Sequence, residues 1–162
     1  MFRLIVCATL LLLCLASVHG DTGPESLKKA LDSLDGVVTT NPAQAIKLAR
    51  KHDRPILFYL YDRDAEAYGR LGWNVYWFIA RDPTKDIVFK NFVQCLVPRQ
   101  HKAVRDLVPN ADNKDQPHFM VTTPKGEVLL YGRLPANRDE GLKAAQRMKE
   151  AVEKHLKERN DN

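Results

Sequence analysis

The sequence is poor in cysteine, and its cysteines are badly placed for cross-linking. Cys7 and Cys14 lie in an apolar N-terminal segment, which leaves Cys95 as the only thiol in the rest of the chain. A single thiol excludes an internal disulfide in that part. The sequence also lacks an Asn-x-Ser/Thr acceptor, a glycine-rich phosphate loop and a histidine spacing typical of a metal site. We therefore expect neither a cofactor nor a metal.

Long apolar runs are absent except at the N-terminus. A basic residue precedes an apolar run from Leu4 to Val18, and Val18 and Gly20 are the small residues expected before a cut after Gly20. This pattern is typical of a cleaved secretory signal peptide, so residues 1–20 are predicted to be removed by cleavage. We expect a secreted protein, in an extracellular space, the secretory lumen or a periplasm, with no membrane contact after cleavage. An uncleaved anchor is the alternative, disfavoured because the run is short.

A strong charge of one sign is absent as well. The chain has 25 Lys and Arg against 20 Asp and Glu, a net charge of +5. The two signs are interleaved almost everywhere, notably from Lys143 to Arg159. A mixed surface of this kind is usually a solvated surface, so nucleic acid is not an expected partner.

The length after the signal peptide fits one domain, since about 140 residues can bury a real core. Residues 21–40 are predicted to be an N-terminal extension with a short helix. Residues 41–157 are predicted to be the domain, and residues 158–162 a C-terminal tail.

The most informative stretch is the apolar run from Ile56 to Tyr61. It predicts a strand covered on both faces. Asp62 and Asp64 follow at once, and their carboxylates can accept the unpaired N–H groups of a first helical turn. Binding sites in open α/β sheets usually lie where a strand ends at such a helix. This junction carries no nucleophile.

The remaining elements are predicted from caps, prolines and apolar runs. They are a helix after Asn41-Pro42, a weak helix from Asp64 to Trp73, a helix opened by Asp82-Pro83, a strand from Asn91 to Val97, a short helix from Arg99 to Val108, a hairpin of His118–Val121 and Glu127–Tyr131, and a helix capped by Asn137 with Glu140.

This order of helices and strands resembles the thioredoxin fold. Residues 54–61 resemble its central strand, and Gln116 to Val121, followed by Pro124 to Val128, resemble its hairpin led by a cis proline. Residues 82–93 are similar to the corresponding part of secreted, anterior-gradient-type members. The resemblance implies an α/β thioredoxin-like fold, with a central mixed β-sheet flanked by helices and a cis Gln116–Pro117 bond.

The departure from the family concerns its Cys-x-x-Cys motif. The two cysteine positions fall near Asp64 and Ala67 in this sequence. The resemblance therefore implies a redox-inactive domain that binds a protein or an extended peptide in the groove beside the proline. The simpler interpretation of Asp64 is a plain helix cap. The candidate groove residues are Asp62, Asp64, Ala67, Gln116, Pro117 and His118.

Two other functions remain as alternatives. The first is a thiol-disulfide oxidoreductase-related enzyme that uses Cys95, although burial in a strand would raise the pKa of that thiol and make it inert. The second is a metal site at Asp62, Asp64 and Glu66, whose spacing of two prevents all three from facing one way on a helix. We assign no catalytic residue and expect a protein that is not an enzyme; the oligomeric state stays open.

Overall fold

A five-stranded sheet organises the computed structural model, which describes residues 38–62, 71–72, 74–78, 82–108 and 118–161. The strand order is β1-β3-β2-β4-β5. β1 and β2 run parallel to β3, whereas β4 is antiparallel to β2 and to β5. The register of β4 and β5 shifts between Val121 and Thr122. The strands are β1 (Val38–Thr39), β2 (Ile56–Tyr61), β3 (Val93–Pro98), β4 (His118–Thr122) and β5 (Val128–Arg133).

Helices pack on both faces of the sheet. They are α1 (Pro42–His52), α2 (Thr84–Asn91), α3 (Lys102–Arg105) and α4 (Arg138–Asn160), with further helical residues at 71–72 and 74–78. On β2, Leu57 and Tyr59 face the core shared with α2 and α4, and Phe58 and Leu60 face the core shared with α1. Both faces of β2 are thus buried, which explains its unbroken apolar sequence.

The sheet confirms the predicted fold class. Three parallel strands, β1, β3 and β2, continue through antiparallel β4 into β5, and helices cover both faces. This is an α/β thioredoxin-like fold with a central mixed sheet.

Two helix starts follow the predicted cap chemistry. Asn41 Oδ1 accepts hydrogen bonds from the backbone N–H of Ala43 at 3.0 Å and of Gln44 at 3.4 Å. At α4, Asn137 Oδ1 accepts from the N–H of Glu140 at 3.0 Å, and the Glu140 carboxylate accepts from the N–H of Ala136 at 2.9 Å. Each cap satisfies N–H groups that the first helical turn leaves unpaired.

Two other helices differ from the prediction. α2 begins at Thr84, after a cis Asp82–Pro83 bond, and no side chain caps it, so Asp82 is not the cap. α3 is shorter than the predicted helix because the N–H of Arg99 still bonds to the carbonyl of Tyr61 at 2.9 Å. That bond continues the pairing of β2 with β3 past the end of the strands. The helix begins only after His101, whose Nδ1 accepts from Ala103.

The sequence did not predict β1. Val38 pairs with Gln94 and Thr39 with Cys95 along β3. The Thr39 hydroxyl accepts from the N–H of Asn41 at 3.0 Å and donates to Gln44 Oε1 at 2.8 Å, which ties the strand to the start of α1. A strand of two residues is too short to show an alternating pattern.

Several predictions lie outside the described residues. These are the signal peptide of residues 1–20, the short helix of the extension, the helix start at Asp64 and the Gln116–Pro117 bond. Among the residues that the structure describes, no helix has the length and apolar character needed to span a bilayer.

Candidate binding site at the carboxyl edge of the sheet

Three chain segments bring polar side chains to one edge of the sheet. Asp62 directly follows β2, Arg99 directly follows β3, and His118 is the first residue of β4. β2 and β3 are parallel and β4 runs against β2, so these positions lie at the same end. In sheets of this type, that end is where ligands usually bind.

Arg99 is the centre of this edge. Its side chain is 9% exposed, and its Nε lies 3.6 Å from Oδ2 of Asp62, whose side chain is 15% exposed. Its Nη2 lies 2.9 Å from Nδ1 of His118. A guanidinium can only donate, so Nδ1 of His118 accepts and the imidazole is neutral with its proton on Nε2. A nearly buried cation therefore has both a carboxylate and a ring nitrogen as partners.

Two more side chains complete the arrangement. Gln100 donates a short hydrogen bond from Nε2 to Oδ1 of Asp62. The ring of His118 stacks on Tyr131, with centroids 5.3 Å apart and planes 12° from parallel. His118 is only 1% exposed, so its ring packs inside the fold and fixes the start of β4.

Of the predicted groove residues, Asp62 and His118 lie close together, and Arg99 contacts both of them. Asp64, Ala67, Gln116 and Pro117 lie outside the described residues. Arg99 was not among the predicted site residues because the sequence pattern predicted that a helix begins there. One signal was available: Arg99 follows the apolar strand β3 just as Asp62 follows β2, and parallel strands end at one edge.

Cys95 stands apart from this edge. It lies in the middle of β3, opposite Phe58 of β2, and is fully buried. Burial raises the pKa of the Cys95 thiol to about 12, because desolvation disfavours the thiolate. The thiol is therefore protonated at neutral pH and shielded from solvent.

A metal has no evident ligand set in the part of the chain that the structure describes. No group of three or more His, Cys, Asp and Glu side chains there has the arrangement to hold an ion. Asp62, the described member of the acidic triplet, is engaged by Arg99 and Gln100 instead.

Comparisons with known proteins find similarity among solved structures. No family model matches the chain, and no curated protein matches it. The chain is similar to the solution structure of a thioredoxin from Thermus thermophilus, with 17% sequence identity and a TM-score of 0.44. The similarity covers 68% of this chain and 85% of that one. The fold class rests on the order and directions of the five strands rather than on this similarity.

Proposed function

We propose that this chain is a secreted, redox-inactive thioredoxin-like domain that binds an extended peptide or a protein partner beside Gln116-Pro117. The observation that carries the proposal is the Asp62, Arg99 and His118 network at the carboxyl edge of the sheet. His118 directly follows Pro117, so this network holds the first residue of β4, next in sequence to the proposed groove. The backbone N–H and C=O of Gln116 are the groups that would pair with an added strand.

The network supports binding through rigidity rather than through reactivity. A buried cation is costly unless it is paired and hydrogen-bonded, and Arg99 is both. The guanidinium donates from Nη2 to His118, while its Nε lies 3.6 Å from the Asp62 carboxylate, beyond hydrogen-bond distance. Moving this group would leave a buried charge uncompensated, so it resists displacement. A groove lined by the same edge would therefore be largely formed before a ligand arrives, which lowers the entropic cost of binding.

The state of Cys95 supports the absence of redox activity. Disulfide exchange needs an accessible thiolate, whereas the Cys95 thiol is buried and its pKa is raised to about 12. The same two observations oppose the alternative of a thiol-disulfide oxidoreductase-related enzyme that uses this cysteine.

A peptide-display selection tests the groove. The full chain is panned against a random peptide library, the enriched peptides are synthesised, and their Kd values are compared for the parent, Pro117→Ala and Pro124→Ala. Pro124 lies in the turn between β4 and β5, at the opposite end of the sheet, and serves as the matched control. We expect the Pro117→Ala variant to bind about tenfold more weakly or worse, and the control to bind as the parent does.

The result that would overturn the groove is equal affinity of all three proteins for every enriched peptide. Circular dichroism of each variant establishes that the comparison is made between folded proteins. Pro117→Ala replaces a bond that we expect to be cis, and a non-proline cis bond costs about 2.5–4 kcal/mol, so this variant should also be less stable.

Two further measurements test the remaining parts of the proposal. Insulin reduction by the full chain, with dithiothreitol as electron donor, should not exceed the protein-free rate. Turnover that disappears in Cys95→Ser would instead support the enzyme.

Mass spectrometry of the exported protein should find an N-terminus at Asp21. A dominant species that retains residues 1–20 would indicate a membrane anchor.

A further inference from the structure

A pocket lies on the face of the sheet that α4 covers, beside the start of that helix. It is a pocket of about 280 Å³ between β4, the end of β5 and α4. Phe119 and Gly132, which are paired across β4 and β5, form part of its lining. A Cβ at Gly132 would lie 3.0 Å from two atoms of the Phe119 ring. The glycine therefore keeps this wall of the pocket open.

Three cations surround the pocket. Arg133 ends β5, and Lys143 and Arg147 lie one turn apart on α4; all three are exposed. Like charges at this spacing on a helix repel each other, so the arrangement has a cost in the free protein. Within the described part of the chain, no carboxylate forms an ion pair with any of the three.

Other cations on α4 do have carboxylate partners. Lys149 is paired with Glu153 at 3.6 Å, and Lys154 with Glu158 at 3.8 Å. The one carboxylate in the pocket lining is Glu140, which accepts hydrogen bonds from the Ala136 N–H and the Asn137 amide in the helix cap. Glu140 is thus held by the start of its own helix rather than by the three cations.

We propose that this pocket binds a carboxylate side chain of an acidic peptide segment. The apolar wall at Phe119 and Gly132 suits the methylene groups of a Glu or Asp side chain. The guanidinium groups of Arg133 and Arg147 are planar forks that match the two oxygens of a carboxylate. This site needs neither Gln116 nor Pro117, so it is independent of the groove.

The charge pattern favours a peptide over a nucleic acid. Binding of a phosphate backbone uses a long basic track that neutralises many phosphates. Here three cations border one small pocket, Glu140 lies in its lining, and Lys149 and Lys154, further along α4, are paired with glutamates.

The test uses a fluorescein-labelled hexaglutamate peptide as probe and the full chain as receptor. Fluorescence anisotropy at low and at physiological salt gives the affinity. The pocket variant is Arg133→Gln/Lys143→Gln/Arg147→Gln. The matched control is Lys47→Gln/Lys51→Gln/Lys102→Gln, which removes the same charge from exposed positions of α1 and α3, on the opposite face of the sheet.

We expect the parent and the control to bind hexaglutamate alike, the pocket variant to bind it about tenfold more weakly or worse, and hexaglutamine not to bind. Equal losses in both triple variants would overturn the proposal, because net charge alone would then explain the binding. So would undetectable binding by the parent, or tighter binding of a duplex DNA probe that depends on the same three residues. All substituted side chains are exposed, so each variant should fold.

Discussion

Arg99 directly follows β3 and His118 begins β4, two strands that are not neighbours, yet Nη2 of the arginine is 2.9 Å from Nδ1 of the histidine. β2 lies between β3 and β4, and the arginine reaches across the end of β2, where Asp62 follows the strand. The contact therefore ties three strands together at their common edge. It holds the start of β4 in place without a disulfide or a metal.

Loss of the Asp62 charge should destabilise the fold. Asp62→Asn keeps an oxygen for the Gln100 hydrogen bond but leaves Arg99, a nearly buried cation, without its carboxylate. We expect the free energy of unfolding to fall by about 1–3 kcal/mol, measured by urea denaturation with an unchanged m-value.

The control for this substitution is the pair of Arg105 and Asp106. These side chains are 2.9 Å apart but 63% and 72% exposed, so water screens their attraction. Asp106→Asn should leave the urea midpoint unchanged. Equal midpoints for Asp62→Asn and the parent would mean that Arg99 does not need its carboxylate.

Alkaline pH should destabilise the protein through Cys95. Burial raises its thiol pKa to about 12, against an ordinary value of 9.0 in the unfolded chain. Below pH 9 the thiol is protonated in both states and its contribution to stability is complete. Between pH 9 and 12 only the unfolded chain loses the proton, so stability falls as pH rises, by at most about 1.4 kcal/mol per pH unit.

Cys95→Ala should make this decline shallower, as followed by urea midpoints from about pH 8 to about pH 11. Burial raises the pKa of Tyr59 as well, from an ordinary value of 10.0, so a weaker decline should remain above pH 10. Identical slopes for the parent and Cys95→Ala would contradict the burial of the thiol.

The buried hydrogen bond between Tyr59 and Gln94 should show strong coupling. The tyrosine hydroxyl donates to Oε1 of Gln94 at 2.6 Å in the core, while the amide Nε2 has no partner among the described residues. Tyr59→Phe or Gln94→Leu alone should cost about 1–3 kcal/mol, since each leaves a buried polar group unsatisfied. The double variant should be about as stable as the parent, because no buried polar group has lost its hydrogen-bond partner. Additive losses of stability in the double-mutant cycle would refute this.

Two helical glycines should respond to alanine in opposite directions. A Cβ on Gly141 would lie 2.8 Å from the Trp77 carbonyl oxygen, at a close approach of α4 to helical residues 74–78. Among the residues that the structure describes, nothing lies within 4 Å of a Cβ on Gly72. Gly72→Ala should gain up to about 1 kcal/mol of helix propensity, whereas Gly141→Ala should lose about 1–3 kcal/mol to the clash. Thermal unfolding of both variants decides the signs.

Local patterns were enough to predict much of the fold. The apolar run at Ile56–Tyr61, the Asn41 cap and the hairpin that begins at His118 each leave a mark within a few residues of sequence. Such features follow from burial on both faces of a strand and from the pairing of helix ends, so they can be identified from a single sequence.

The polar network could not be predicted in the same way. Asp62, Arg99 and His118 are far apart in sequence, and each alone is an ordinary polar residue: the first two follow an apolar run and His118 begins one. Their association depends on the order of the strands, which places the ends of β3 and β4 on either side of β2. The strand β1 was missed for a related reason, because its two residues join the sheet only through pairing with β3.

The two edges of the sheet differ in their tendency towards self-association. β1 is two residues long and offers little backbone to a foreign strand. β5 has six residues, and within the described part of the chain only β4 pairs with it. β5 is therefore the strand through which two copies would pair at high protein concentration. Two features oppose such aggregation: the register shift at Val121 and Thr122, and the charge of Arg133 at the end of the strand.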